Sequence, residues 1–330
     1  MDRRTVSHPF DRERAVAARA VIEAARICRA VRGKYGPDSV AKSDLSPVTV
    51  ADFGSQALIC ATLAAEFPDD PIMAEEDAAD LRKPENAAVR DRVAAEVAAI
   101  RPGTDADSAI GWIDLGNLDR FTGRFWTLDP IDGTKGFLRG EQYAIALALI
   151  VDGQVEVAAL ACPNLEQSRS AVGPVGAVFL AVRGAGATVR PLEVEDEERP
   201  IHTSDRDDPT RARLCESVES GHSAHNESAA VAARLGITEP PVRLDSQAKY
   251  ATVASGAADV YLRLPTRADY REKIWDHAAG ALIVTEAGGT VTDVDGKPLD
   301  FTRGSTLAEN RGVIATNGRL HQRVLDALKG

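Results

Sequence analysis

The stretch Trp126-Thr127-Leu128-Asp129-Pro130-Ile131-Asp132-Gly133-Thr134-Lys135-Gly136-Phe137 carries the densest chemistry in this chain. An apolar run delivers two carboxylates three residues apart. Pro130 sets the bend between them, and Gly133 lets the backbone turn before a threonine able to cap a helix. Two hard oxygen anions at a strand end can share a Mg²⁺ pair, the carbonyl of Ile131 can complete a shell, and a following helix N-terminus can receive phosphate oxygens. Taken alone, the corner also fits a plain turn in which Asp129 and Asp132 accept backbone hydrogen bonds.

Three more acidic positions sit at element ends. Ile72-Met73-Ala74 is a short strand followed by Glu75, Glu76 and Asp77. Asp52 closes Ser46-Pro47-Val48-Thr49-Val50-Ala51-Asp52 at the expected start of a helix, where an N-cap is the simpler role. Asp276 in Trp275-Asp276-His277-Ala278-Ala279-Gly280 leads another. Each has an ordinary structural explanation, but a single carboxylate-lined metal cleft accounts for all four together.

Apolar spacing predicts helices over Pro9–Arg32, with Gly33 and Gly36 ending it, and over Gln56–Phe67, Asn86–Ile100, Asn226–Leu235, Ser246–Ser255, Asp276–Ala287 and Arg319–Leu328. Strands are predicted at Phe125–Leu128, Tyr143–Val151, Val155–Ala161, Ala258–Leu264, Thr290–Val294 and Gly312–Thr316. Asp152-Gly153 forms a hairpin turn between the second and third of these. The carboxylate cluster Glu193–Arg199 reads as a solvated stretch beside a domain boundary. The expected organisation is layered α/β, with a mixed sheet in each of two lobes, residues 1–192 and 193–330.

Composition narrows the function classes. Thirty-nine Lys and Arg against 50 Asp and Glu, a net charge of −11 over 330 residues, argue against a nucleic-acid surface. No apolar stretch approaches the ~20 residues of a membrane span, and the charged start lacks a signal-peptide core, so a cytoplasmic location is expected. Cys28, Cys60, Cys162 and Cys215 are far apart, which fits reduced, partly buried thiols. His222 and His225 have a spacing that zinc can use, but no cysteine or third histidine joins them and nucleotide contact is preferred. Lys42 suits a loop closing over the site as well as it suits plain solvated surface. Trp112 and Trp126 are expected in the core.

The blocks Ser46–Asp52, Glu75-Glu76, Asp129–Thr134 and Trp275–Gly280, in that order, resemble the signature set of the Mg²⁺-dependent, lithium-sensitive phosphatases related to inositol monophosphatase. Asp129–Gln142, Ser220–His225, Leu244–Tyr250 and Asp259–Pro265 look most like the 3′(2′),5′-bisphosphate nucleotidases within that superfamily. The resemblance implies a five-layered αβαβα sandwich of the inositol monophosphatase and fructose-1,6-bisphosphatase type. It also implies hydrolysis of 3′-phosphoadenosine 5′-phosphate (PAP) to AMP and phosphate, and leaves open whether the sulfated nucleotide PAPS is used as well. It assigns Glu75, Asp129, the Ile131 carbonyl, Asp132 and Asp276 as ligands for two or three Mg²⁺ ions, with Glu76 behind them. Asp52 and Thr134 become the pair that orients and deprotonates water. Thr134, His222, Ser246, Lys249, Arg263 and Asp276 become substrate contacts, and Li⁺ an inhibitor. The competing readings are an inositol phosphate phosphatase and a non-catalytic nucleotide or metal sensor. The complete Asp52 and Thr134 pair argues against the sensor. Neither oligomeric state nor pathway follows from the residues.

Overall fold

The computed structural model describes residues 8–35, 47–166, 175–218, 225–267 and 269–330. Two helices, α1 (Asp11–Tyr35) and α2 (Pro47–Glu66), cover one face of a seven-stranded sheet. Its strands lie in chain order: β1 (Ile72–Ala74), β2 (Arg124–Asp132), β3 (Ala144–Val151), β4 (Gln154–Glu166), β5 (Val175–Val182), β6 (Gly186–Pro191) and β7 (Arg199–Pro200). Helices α3 (Ala87–Ile100) and α4 (Ala106–Asp114) lie between β1 and β2 in the chain, and the short α5 (Thr134–Arg139) follows β2. A second, five-stranded sheet is built from β8 (Leu214–Glu216), β9 (Val242–Arg243), β10 (Val260–Arg263), β11 (Thr290–Thr292) and β12 (Val313–Thr316), in the order β11-β12-β10-β8-β9. Helices α6 (His225–Leu235), α7 (Ala248–Ala254), α8 (Ala278–Glu286) and α9 (His321–Leu328) accompany it.

Strand periodicity explains the layers. In β3, Ile145, Leu147 and Leu149 enter the core beneath α1 and α2, while Ala144, Ala146, Ala148 and Ile150 enter a second core containing α7 and α8. A strand buried on both faces reads as a continuous apolar run, as this one does. On the second sheet, Tyr261, Val313 and Ala315 face α7 and α8, whereas Val260, Leu262 and Ile314 join a third core with α6 and α9 residues. The outer cores thus join each sheet to its outer helices and the middle core encloses the central helices between the two sheets, which makes helix, sheet, helix, sheet and helix: the expected αβαβα sandwich. The middle layer explains why α8 is buried from Ala278 through Val284, with no polar face. Gly280 is needed there, since a Cβ would fall 2.3 Å from the Tyr250 ring.

The expected hairpin is present, with Asp152 at φ 49° and Gly153 at φ 79° joining β3 to β4. All four cysteines are free and buried, and Trp126 is a core residue donating to Asp70 Oδ2 at 3.0 Å. Several expectations change. Helix α1 runs through Gly33 to Tyr35, because one helical glycine costs only about 1 kcal/mol against a long buried face. Helix α2 starts at Pro47, so Asp52 lies inside it and is not an N-cap. Thr134 opens α5, but Gly133 is the N-cap and no side chain caps it. Asp276 precedes α8, whose N-cap is His277. The acidic stretch at 193–199 is not merely solvated: Glu193 pairs with Arg26 and Arg29 of α1, and Glu198 with Arg14. The first sheet continues to β7, past the boundary expected at 192. Among the described residues no helix is long and apolar enough to cross a membrane.

Candidate active site

The β2 corner is shaped by its neighbours. Strand β1 runs parallel to β2, with Ala74 opposite Leu128, so Glu75 leaves β1 beside Asp129. On the other side β3 pairs with Asp129 and Asp132, but the register slips between them, which frees Pro130 and Ile131 from the ladder. Ser55 of α2 donates to the Pro130 carbonyl at 3.0 Å, and Thr134 Oγ1 lies 3.5 Å from the Ile131 carbonyl. Gly133 adopts φ 88°, and a Cβ there would lie 2.9 Å from Ser246 Cβ, so only glycine fits both the turn and the close approach. Gln56 of α2 fixes the preceding corner: it accepts from Glu76 N at 3.0 Å and donates to the carbonyls of Glu76 (2.7 Å) and Ile113 (3.1 Å).

The C-terminal half closes onto this corner. Gln247 N donates to Asp132 Oδ2 at 2.5 Å. The Gln247 side chain donates to Trp275 O (2.8 Å) and accepts from Gly280 N (3.0 Å), locking the start of α7 to the Asp276 loop. Asp245 forms an ion pair with Arg139 of α5. The result is a cavity of about 420 Å³ whose walls include Glu75, Asp129, Ile131, Asp132, Thr134, Ser246, Lys249, Arg263 and Asp276. Asp52 and Glu76 stand behind the wall, near enough for Glu76 and Glu75 to act electrostatically on Asp52. Among the described residues no hydrogen bond joins Asp52 to Thr134. His222 and Lys42 lie outside the described residues, as does Ser46.

The acids strain against one another. Burial, then Glu76, pushes Glu75 up to about 7. Burial, then Asp132, takes Asp276 to about 7. Asp129 and Asp52 are raised well above the usual carboxylate range, first by burial and then by the neighbouring acids. Asp129 Oδ1 is buried with no hydrogen-bond partner. A bare oxygen amid mutually repelling acids fits a divalent cation, which would relieve the repulsion. The donors are hard oxygens, suited to Mg²⁺. Among the described residues the group of three ligand atoms lying within 4.8 Å of one another is Glu272, Asp276 and His277, yet Glu272 and His277 are already joined at 3.2 Å.

The cations Lys249 and Arg263 line the same cavity. Lys249 is buried, donates to Leu244 O at 3.0 Å and lies 5.4 Å over the Tyr261 ring; burial pulls its pKa down although Asp132 opposes. Arg263 is held by Glu272 at 3.0 Å. Burial would raise Glu272, but His277 and Arg263 outweigh it and hold the carboxyl near 2. Glu272, Gln247, Tyr270 and His277 all belong to this site and escape sequence reading. Glu272 lies in the charged run Arg271-Glu272-Lys273, which looks like surface; only its proximity to Trp275-Asp276 marks it out.

An acid-lined corner on a five-layered sandwich, in a cavity that also holds Lys249 and Arg263, defines a class of metal-dependent phosphatases. The profile of the inositol monophosphatase family matches residues 11–329, and the chain belongs to that family, whose members are Mg²⁺-dependent. The 3′(2′),5′-bisphosphate nucleotidase of Emericella nidulans is 44% identical over 347 residues, covering 97% of this chain and 98% of its own. That of Schizosaccharomyces pombe is 43% identical over 337 residues, covering 96% and 95%. An inositol monophosphatase from Zymomonas mobilis shares the fold with a TM-score of 0.65 at 21% identity, covering 98% of this chain and all 100% of its own.

Proposed function

We propose that this chain is a cytoplasmic 3′(2′),5′-bisphosphate nucleotidase that hydrolyses 3′-phosphoadenosine 5′-phosphate to AMP and phosphate, with PAPS as a further substrate. The observation that carries the reading is one cavity lined both by the carboxylates Glu75, Asp129, Asp132 and Asp276 and by the cations of buried Lys249 and partly buried Arg263. A substrate with two separated phosphates matches that polarity: the reacting 3′-phosphate at the acid corner, the 5′-phosphate at the cations. The names of the relatives point the same way.

Glu75, Asp129, Asp132, Asp276 and the Ile131 carbonyl would hold two or three Mg²⁺ ions, with Glu76 behind them. Bound there, the ions would supply charge neutralisation for the phosphate and a lowered pKa for water. Asp52, desolvated and raised in pKa, accepts the proton of the attacking water. Thr134, at the head of α5 beside the Ile131 carbonyl, orients that water and the phosphate. Lys249 and Arg263 bind the 5′-phosphate by charge-assisted hydrogen bonds, Lys as a point charge and Arg as a fork. Ser246, held at φ 67° against Gly133, and His222 contact the nucleotide. Li⁺ inhibits by taking a Mg²⁺ position.

Phosphate release from PAP, with Mg²⁺ and with chelator, tests the reading. Turnover restored by Mg²⁺ is the expected result. Binding of PAP without turnover under either condition would instead make the protein a nucleotide sensor.

A further inference from the structure

Behind Arg263 runs a polar chain whose inner links are buried. Nε of Arg263 lies 3.2 Å from each oxygen of Glu272, and Nη2 lies 3.0 Å from Oε2. Behind the carboxylate, His277 Nε2 is 3.2 Å from Glu272 Oε2, and His277 Nδ1 is 2.6 Å from the Tyr250 hydroxyl. Tyr250 is packed edge-on against Tyr261 at 5.1 Å and pressed to Gly280 in the middle layer. One connected path therefore runs from the helix layer to the arginine that faces the cavity.

A guanidinium carries five donors in a rigid fork, and Glu272 occupies the Nε and Nη2 edge, so donors remain on the other edge. Glu272 also opposes the attraction of Arg263 for an anion. A buried pair of this kind is weak evidence of stabilisation, since apolar residues of similar volume can do as well. What the pair supplies is a fixed arginine, whose rotamer freedom is already lost before ligand arrives. Lys249 has its own restraint, the bond to Leu244 O, and does not depend on this path.

We infer that Glu272, backed by His277 and Tyr250, is the positioning residue for Arg263 and thereby sets the preference for substrates with a second phosphate. The inference rests on the function proposed above. Its test compares kcat/KM for PAP and for adenosine 3′-monophosphate in the wild type, Glu272→Gln, Arg263→Gln and the double variant, all with Mg²⁺. Glu272→Gln should reduce the ratio of the two kcat/KM values about tenfold, mainly through KM for PAP. In the Arg263→Gln background the same change should alter the ratio less than about twofold. A merely structural role would lower both substrates together and leave the ratio unmoved; that result, or losses that multiply in the double variant, overturns the inference. Should Glu272→Gln fail to fold, Glu272→Asp, which keeps the charge but draws it back, is read by the same ratio. A wild type without preference for PAP overturns the functional reading and this inference with it, whereas preference retained in the variant overturns the inference alone.

Discussion

Gly280→Ala should disable the joint between the two halves of the site. The added Cβ would stand 2.3, 2.4 and 2.8 Å from Cδ2, Cγ and Cβ of Tyr250. Ordinary carbon contacts are about 3.5–4.0 Å, so the ring must retreat by about 1 Å or more. It has nowhere to go: Tyr250 is 1% exposed, packed edge-on against Tyr261 and bonded to His277 at 2.6 Å. Overpacking of this kind costs about 1–3 kcal/mol. Breaking the buried bond to His277 adds about 1–3 kcal/mol. The expected loss is therefore about 2–6 kcal/mol, read as a lower urea midpoint at unchanged slope. Turnover should fall as well, because Gln247 ties Gly280 N to the start of α7. Gly33→Ala is the control: nothing lies within 4 Å of its added Cβ, and it should stabilise by about 0.4–1 kcal/mol. A Gly280→Ala protein within about 1 kcal/mol of wild type would refute the argument that α7 and α8 are closely locked.

In chelator, stability should fall as pH rises from about 4 through 7, because Glu75 and Asp276 titrate near 7 when folded and nearer 4 when unfolded, so the folded state holds more protons in that window. Mg²⁺ should flatten the profile; urea midpoints at pH 5 and 8 measure it, and a rise with pH in chelator would be the contrary outcome. Asp52→Asn should abolish turnover while PAP affinity, measured by calorimetry, stays within a few-fold; if both collapse, Asp52 organises the site and is not the base. Gly133→Ala should cost about 1–3 kcal/mol and most activity, since φ 88° and the 2.9 Å approach to Ser246 both exclude a side chain; thermal melts and phosphate release report the two effects.

Local sequence made the layers legible where one face or period dominated. The apolar run Ala144–Val151 read as a buried strand, and Asp152-Gly153 as the hairpin turn after it. The strands Val175–Val182 and Gly186–Pro191 went unread, because Gly176, Gly184 and Gly186 break the apolar pattern that marks a strand. The start of α2 was hidden because Pro47 reads as a breaker, although proline suits a first helical turn. In the site, the acids at β2 and after β1 were readable since each follows an apolar run. Gln247 was not, because its partners Asp132 and Gly280 are brought to it only by the fold, and Glu272 was not, because its nearby partners Arg263 and His277 give no pattern that separates it from a surface charge run. Glu193 and Glu198 show the same failure at the surface, where α1 arginines turn a charge run into contacts.

The central claim is a cavity polarised for a nucleotide with two phosphates, and the ratio of kcat/KM for PAP to that for inositol 1-phosphate, measured at saturating Mg²⁺, tests it most directly. The account predicts a ratio of at least about 100, equivalent to roughly 2.7 kcal/mol of transition-state discrimination. Equal values, or a preference for the inositol ester, would contradict it.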